Sequence, residues 1–244
     1  MNSTQTASAE GSSQPSTLSV APAWHTAVVL VVILGLSFAT AARETLLPMG
    51  RAHGRATGYA MVMVFEWIVV AFIWYGVSRR GVRLSDLVGG SWSRPIAALR
   101  DLGLAIGFLV ASGLVLNGLG YLFKVAPNEA IRNLFPHGPL ETVVYLTLAM
   151  TAGFCEELIF RGYFQRQFAA LTKNSVGGIV LQGIVFGAGH GYQGWRYMIV
   201  IAVFGILFGL MVLWRRTLRP GMIAHFVQDG VGGLLGPHLL KHIL

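Results

Sequence analysis

The sequence predicts an all-α membrane protein. We expect a polytopic helical bundle with about seven transmembrane helices (six to eight). First, the 244-residue chain is 54% hydrophobic and only 11% charged, with a mean hydropathy of +0.63. Second, its apolar runs reach the roughly 20 residues that a helix needs to cross a bilayer. Third, Arg and Lys lie in short connections between these runs, so membrane topology accounts for the net charge of +8. No nucleic-acid partner is therefore expected.

The apolar runs divide the chain into a tail and one membrane domain. Residues 1–22 are rich in Ser, Thr and Pro, lack Lys and Arg, and are predicted to form a disordered N-terminal tail. Residues 23–244 are predicted to form a single membrane-embedded domain, whose motif-bearing core covers about 140–235. The fourth span is expected to continue as far as Phe168. The seven predicted spans cover about 24–42, 57–77, 101–123, 140–160, 175–189, 195–214 and 220–240.

Pairs of glycines at helical spacing occur in the third, fifth and sixth spans. Small residues four apart let helix backbones approach closely in a membrane, so we expect these three spans to pack tightly against neighbours. The pairs are Gly103 with Gly107, Gly183 with Gly187, and Gly205 with Gly209.

The most basic connection runs from residue 78 to residue 100. On a seven-span count it shares one side of the membrane with Arg161, Arg166 and Lys173, and with the basic run at 215–219. Cytoplasmic connections carry an excess of Lys and Arg. This end of the bundle is therefore predicted to be cytoplasmic.

The fourth span holds two acidic residues and an arginine near its end. Adjacent helical residues point about 100° apart, so Glu156 and Glu157 face different directions, whereas Glu157 and Arg161 lie four apart and face each other. We expect Glu157 and Arg161 to form an ion pair near the membrane edge and Glu156 to face the interior as a potential base. An interfacial charge cluster that closes a helix end explains this segment equally well.

Two later spans carry histidines in polar pairs. Phe186 lies one turn before His190, so its ring is expected to pack beneath the imidazole. His225 and Asp229 share one face of the last span, either as an imidazole tuned by a carboxylate or as two metal ligands. A lone histidine at a membrane boundary is more typical of an interfacial residue, and His25 is interpreted in that way. Three polar features on three spans favour one shared site, because each would otherwise carry its own cost of burial.

The order and spacing of these motifs resemble a known family. The segment EELIFR at 156–161, the Phe-x-x-x-His of Phe186–His190 and the His-x-x-x-Asp of His225–Asp229 are similar to three motifs of the CPBP intramembrane proteases. This family is also called Abi or CAAX-protease-like, and it includes the CAAX prenyl endopeptidases. The resemblance implies a helical bundle that hydrolyses peptide bonds of membrane-associated or lipidated polypeptides. It also implies a multi-pass protein whose active site faces the cytosol.

Roles for the motif residues follow from the resemblance. It implies that Glu156 is the general base and that His190 helps to hold the attacking water. His225 and Asp229 would line the place where the oxyanion forms. Glu157 and Arg161 would support these residues from behind.

Two aspects of the mechanism stay open in the sequence. Asn is common in the prenyl-protease branch where this chain has Asp229, and an ionised carboxylate cannot donate a hydrogen bond to an oxyanion. Asp229 is then either protonated or orients His225. A metal-independent, glutamate-dependent mechanism with no cofactor is the first choice, because no compact zinc motif such as His-Glu-x-x-His is present. In the metalloprotease alternative, His190, His225 and one carboxylate bind zinc.

An intramembrane endopeptidase is the function that the sequence favours. A proton- or cation-coupled transporter is the alternative from a different class, since it also places carboxylates and histidines in the membrane. Glu66 in the second span could belong to such a pathway, although a structural or cavity-lining carboxylate is the preferred interpretation. The sequence contains neither inverted halves nor matched broken helices, which are typical of transporters. It identifies no particular substrate, and prenylation of the substrate does not follow from it.

Overall fold

The computed structural model describes residues 19–46 and 54–240, and this part of the chain is an all-α bundle with no strand. The first eighteen residues of the predicted tail lie outside the described residues. Ten α-helices, a π-helical segment and a short 3-10 turn follow one another. The α-helices are α1 (Ala23–Leu46), α2 (Arg55–Ser78), α3 (Leu84–Val88), α4 (Pro95–Leu122), α5 (Glu129–Asn133), α6 (Gly138–Glu156), α7 (Gln165–Thr172), α8 (Ser175–Gly189), α9 (Trp195–Arg215) and α10 (Arg219–Leu240).

The seven predicted spans correspond to seven helical stretches of the structure. Among the described residues, five helices are long and apolar enough to cross a membrane, and the fourth of them is continuous from Gly138 to Thr172. The helix α8 is apolar but shorter, and α10 takes the position of the seventh predicted span. The protein is therefore a polytopic integral membrane protein.

Local sequence signals set several of the helix boundaries. The side chain of Asn174 accepts hydrogen bonds from the backbone N–H groups of Val176 and Gly177 and so caps the start of α8. Pro95 stands in the first turn of α4, where its missing N–H leaves no helical hydrogen bond unmade. That signal starts α4 six residues before the predicted 101–123.

The large helices form a closed ring. In order of contact they are α1, α2, α6, α10, α4, α9 and α8, and α8 packs against α1 again. The continuation of α6 is a π-helix from Glu157 to Phe164, which we call the π segment, and it contacts α2, α8 and α9. All eight of its residues are buried. The ring thus encloses the segment that begins with Glu157, the second residue of the Glu-Glu pair.

Glycines allow α8 and α9 to pack closely, as predicted. A Cβ atom added to Gly183 or Gly187 would meet the backbone of α9, and one added to Gly205 would meet Gly183 and Phe186. The prediction was wrong for the third span. Gly103 and Gly107 face open space, so they mediate no packing within the described part of the chain.

Replacing Gly187 by alanine should destabilise the protein. The new methyl group would collide with the backbone around Met198 and Ala202, a clash of the kind that costs about 1–3 kcal/mol. Gly107→Ala is the matched control, since its methyl group meets nothing within 4 Å. We expect a lower unfolding temperature in detergent for Gly187→Ala and an unchanged or higher one for Gly107→Ala. Equal behaviour of the two variants would contradict the close approach of α8 and α9.

The basic connections gather at one end of the bundle, as predicted. Arg166 donates to the carbonyl oxygen of Asp86 at 2.9 Å, and Thr217 donates to that of Val88 at 3.0 Å. Arg219 lies 3.2 Å from the fully buried carboxylate of Asp101. These contacts tie the connections at 79–94 and 215–219 to α4 and α7. We call this the basic end.

His25 is not the interfacial residue that the sequence predicted. Its side chain is fully buried, its Nε2 donates to the carbonyl oxygen of Phe72 at 2.9 Å, and its Nδ1 accepts from the Tyr163 hydroxyl at 2.7 Å. The side chain of Gln167 binds the backbone of Val20 and Ala21. The start of α1 is therefore fastened to the π segment and to α7.

Candidate active site

The Glu-Glu pair lies where α6 changes into the π segment. Glu156 is the last residue of α6, and Glu157 is the first of the π segment. The sequence predicted an uninterrupted α-helix here. π-Helical turns are rare and occur frequently at functional sites. The change of helix type coincides with the residues to which the resemblance assigns chemistry.

Glu157 and Arg161 form an ion pair, as predicted from their spacing. The Oε1 atom of Glu157 lies 2.9 Å from Nη1 of Arg161. Both side chains are 0% exposed, so the pair is enclosed within the bundle. The guanidinium carbon of Arg161 lies 4.2 Å from the ring centre of Phe186 and 4.7 Å from that of Phe208. The two aromatic faces complete the enclosure of the arginine by cation–π contacts.

His225 is held by a carboxylate from another helix. Its Nδ1 donates to Oε1 of Glu157 at 3.0 Å, so Arg161, Glu157 and His225 form a continuous polar chain. Its Nε2 lies 3.6 Å from Oε2 of Glu156 and 3.6 Å from Oδ2 of Asp229. The predicted face shared by His225 and Asp229 is therefore present. The closest carboxylate, however, is Glu157, which is 68 positions away in the sequence.

His190 is oriented by the backbone of its own helix. Its Nδ1 donates to the carbonyl oxygen of Phe186 at 2.8 Å. A carbonyl oxygen only accepts, so the proton is on Nδ1 and the Nε2 of the neutral ring is an acceptor. The ring of Phe186 packs against both imidazoles, with its centre 4.9 Å from His190 and 6.0 Å from His225. The predicted contact between Phe186 and His190 is present, and the same ring also supports the second histidine.

One cavity brings the predicted residues together. Its volume is about 1540 Å³, and Glu156, His190, His225 and Asp229 all line it. The Glu156 side chain is 19% exposed and that of Asp229 is 36% exposed. Glu157 and Arg161 lie behind this wall with no exposure. The six residues thus separate into four that face the cavity and two that support them.

The cavity extends toward the end of the bundle opposite the basic end. Its lining reaches Arg55 and Tyr59 at the start of α2, Lys124 after α4, and Gln193 after α8. Each of these helix ends lies opposite the connections at 79–94 and 215–219, because consecutive spans run in opposite directions. The two expectations about orientation are therefore incompatible. If the basic end is cytoplasmic, the cavity opens away from the cytosol.

Two residues of the site were not assigned to it from the sequence. Glu66 of α2 is 5% exposed and lines the cavity, in agreement with its interpretation as a lining carboxylate. The sequence did not predict that it lies close to the motif residues. It is near enough to Glu156, His225 and Asp229 to interact electrostatically with all three. Tyr145 of α6 donates its hydroxyl to the carbonyl oxygen of Asp229 at 3.1 Å. A single acidic residue in an apolar span was the only signal for Glu66, and Tyr145 gave none.

The donor atoms do not fit the zinc alternative. Among residues 19–46 and 54–240, no three His, Cys, Asp or Glu side chains are arranged to hold one metal ion. In both motif histidines the Nδ1 atom donates to a protein acceptor, Phe186 for His190 and Glu157 for His225, so only the two Nε2 atoms could reach an ion. A zinc ion would need three such donors around one point.

The fold and this cluster define a polytopic membrane protein with a carboxylate–histidine site at the wall of a cavity. Residues 138–231 match the family model described as type II CAAX prenyl endopeptidase Rce1-like. The matched segment holds all three motifs, so the match confirms the resemblance to the CPBP, or CAAX-protease-like, family over this part of the chain.

Comparison with curated proteins gives a more distant relative. The chain is 28% identical over 102 residues to the uncharacterized protein YpbD of Bacillus subtilis (strain 168). That stretch is 41% of this chain and 48% of the relative, so the chain spans about half the length of the protein it matches. No solved structure matches the chain.

Proposed function

We propose that this protein is an intramembrane endopeptidase that hydrolyses peptide bonds of membrane-associated polypeptides. The observation that carries the proposal is the carboxylate of Glu156 at the wall of a large cavity, in a site with two oriented histidines. Its side chain is 19% exposed and lines the cavity, so a water molecule can reach the carboxylate. The family match over residues 138–231 supports the same class of chemistry.

In the proposed mechanism, Glu156 and His190 activate water. The water donates one proton to the Glu156 carboxylate as its oxygen attacks the peptide carbonyl carbon. The Nε2 of His190 accepts a second hydrogen bond from the water and fixes its direction, because its Nδ1–H is held by Phe186. Both side chains line the same cavity.

His225 is proposed to stabilise the oxyanion. Its Nδ1 donates to Glu157, and in the imidazolium form its Nε2 also donates toward the developing negative charge. Asp229, whose Oδ2 is 3.6 Å from Nε2, is proposed to orient His225. The buried Glu157–Arg161 pair fixes the imidazole from behind, so the donor needs no reorganisation during the reaction.

The proposed substrates are membrane-associated or lipidated polypeptides. Apolar side chains of the surrounding spans line much of the cavity, among them Ile33, Val62, Leu116 and Ile201. Such a lining favours binding of an apolar segment or a lipid chain of the substrate. The acidic and histidine residues of the lining are those of the site described above. A substrate would place its peptide bond there and its apolar part along the rest of the cavity.

A proteoliposome assay tests the proposed function against the transporter alternative. The purified protein would be reconstituted with a farnesylated, internally quenched peptide, and cleavage and proton flux would be recorded in the same vesicles. We expect cleavage that is lost in Glu156→Gln and no flux above that of protein-free vesicles. Flux without cleavage would overturn the proposal in favour of a coupled transporter.

We also propose that the reaction needs no metal cofactor. The enzyme treated with a strong chelator and shown by elemental analysis to be metal-free should keep most of its cleavage activity. The reason is that, among the described residues, no three His, Cys, Asp or Glu side chains are arranged to hold one metal ion. Loss of activity that stoichiometric zinc restores would contradict this expectation and would assign the histidines to metal binding.

Reporter fusions should reveal which way the cavity faces. The connection at 79–94 is rich in arginine, which is typical of the cytoplasmic side of a membrane. We therefore expect a reporter placed after Arg83 and a second one placed after Lys173 to be cytoplasmic. The cavity would then open on the other side of the membrane, and cytosolic substrates would be excluded. External labelling at both points would instead give the cytosol-facing site that the resemblance implies.

A further inference from the structure

Glu66 is a buried carboxyl group of the cavity that the three motifs do not include. It lies in the middle of α2, well before the segment at 138–231 that matches the family model. Its side chain lines the cavity, and the residue is only 5% exposed. Its Oε2 has no hydrogen-bond partner within the described part of the chain. A buried polar atom of this kind is costly unless it serves a ligand or a reaction.

The groups around Glu66 are mainly acidic. Glu156 at the end of α6 and Asp229 of α10 face it as like charges, and His225 of α10 faces it as the cationic partner. The neighbouring thiol of Cys155 on α6 also interacts with it. The carboxyl groups of Glu66, Glu156 and Asp229 therefore lie at the cavity wall with a single imidazole, that of His225. Like charges that interact within one buried cluster are not all ionised, so part of the cluster holds protons.

Glu66 and Glu156 differ in their environments. Glu156 is 19% exposed, and its Oε2 lies 3.6 Å from Nε2 of His225. Within the described residues, Glu66 makes no ion pair. It is 5% exposed and so has less contact with water than Glu156. Pairs of carboxyl groups in unlike environments commonly divide the acid and base roles between them.

We propose that Glu66 is a catalytic residue that holds a proton and delivers it to the leaving amine during peptide hydrolysis. This inference rests on the proposed function. In the first step, Glu156 takes a proton from water as the oxygen–carbon bond forms. In the second step, the carbon–nitrogen bond breaks, its electron pair moves to nitrogen, and Glu66 donates its proton there. The products are a free carboxyl group and a free amine, and transfer of a proton from Glu156 to Glu66 restores the resting site.

The nature of the leaving group provides a sharp test. A peptide amide is a poor leaving group and depends on a proton donor, whereas an ester oxygen leaves without one. The probes are a farnesylated, internally quenched peptide and the depsipeptide with an ester at the same bond. We expect Glu66→Gln to slow amide cleavage by roughly 10²-fold or more, as is typical for a lost general acid, and ester cleavage by less than about tenfold. The alkaline limb of the pH–rate profile for the amide should disappear as well.

Asn117→Ala is the matched control. Asn117 lines the same cavity from α4, and its amide nitrogen donates to the carbonyl oxygen of Gly113 in its own helix at 2.7 Å. The variant should change amide and ester cleavage by the same small factor. Equal losses of both substrates in Glu66→Gln would overturn the proposal and show a structural role. Losses confined to probes with a lysine beside the scissile bond would overturn it in favour of a cation-binding site.

Infrared spectroscopy tests the proton on Glu66 without any reaction. The unmodified protein at neutral pH should show the carbonyl stretch of a protonated carboxylic acid. That signal should be lost in Glu66→Gln and retained in Glu156→Gln. If Glu66→Gln does not fold, Glu66→Asp provides the comparison, with a shifted signal and reduced amide cleavage. Absence of the signal in the unmodified protein would overturn the proposal. Absence of cleavage in a protein that shows the signal would instead count against the endopeptidase function.

Discussion

Replacing Glu156 by glutamine should reduce peptide cleavage by roughly 10²–10⁴-fold, the range typical of a lost general base. Glutamine keeps the size of the side chain and its hydrogen bonding but cannot take a proton from water. The side chain is 19% exposed at the cavity wall and makes no buried ion pair as close as that of Glu157, so folding should be unaffected. The measurement is kcat/KM on the quenched peptide, together with the yield of monodisperse protein.

His190→Ala should show a similar loss, because the second acceptor for the water would be missing. Its Nδ1 contacts the carbonyl oxygen of Phe186 in its own helix, so this change also leaves the bundle intact. Near-normal turnover by Glu156→Gln would show the mechanism to be wrong. If only the Glu157 change abolished turnover while stability held, the two glutamates would exchange roles.

Removing either partner of the Glu157–Arg161 pair should destabilise the protein strongly. Both side chains are fully buried, so Glu157→Gln or Arg161→Gln leaves an uncompensated charge, which costs about 3–5 kcal/mol in buried pairs. Glu157→Gln also weakens the bond that orients His225, so a partial loss of activity is expected with it. The checks are the unfolding temperature in detergent and the cleavage rate.

The double replacement separates the ion pair from other effects. With both charges removed, the polar groups are neutral, and the loss of stability should be smaller than the sum of the two single losses. Arg79→Gln is a suitable control, since Arg79 is exposed at the basic end, where it contacts the Tyr75 ring by a cation–π interaction and donates to the Tyr75 hydroxyl at 3.4 Å. Additive losses from the two buried positions would indicate that Glu157 and Arg161 act independently.

Much of the fold follows from the sequence, because hydropathy and helical spacing are local properties. The helix α8 was predicted with its observed limits, Ser175–Gly189, and the positions of the other six large helical stretches were also predicted. The spacing of four residues correctly paired Glu157 with Arg161. Close packing at Gly183 and Gly187 was confirmed for the same reason. The prediction failed at Gly103 and Gly107, because glycine spacing identifies a helix face without side chains but does not show whether another helix packs against that face.

The site depends on contacts that no local pattern contains. The bond between His225 and Glu157 joins positions 68 apart, and it forms only because α10 packs against α6. For Glu66, the only signal in the sequence was a single acidic residue in an apolar span. His25 was misjudged because its partners, Tyr163 and Phe72, come from other helices. The direction of the cavity also required the positions of all the helix ends.

The π segment has a consequence for comparing related sequences. A π-helical turn is commonly equivalent to an α-helix with one inserted residue, so deleting one residue between 157 and 164 should restore a plain α-helix. The extra residue is absorbed within the π segment, so the two flanking parts of the Gly138–Thr172 helix should keep nearly the same relative rotation with or without it. Gln167 could then stay fastened to the start of α1 while Glu156 stays at the cavity wall. An alignment gap of one residue at this point, between sequences that keep every motif letter, is therefore compatible with an intact site.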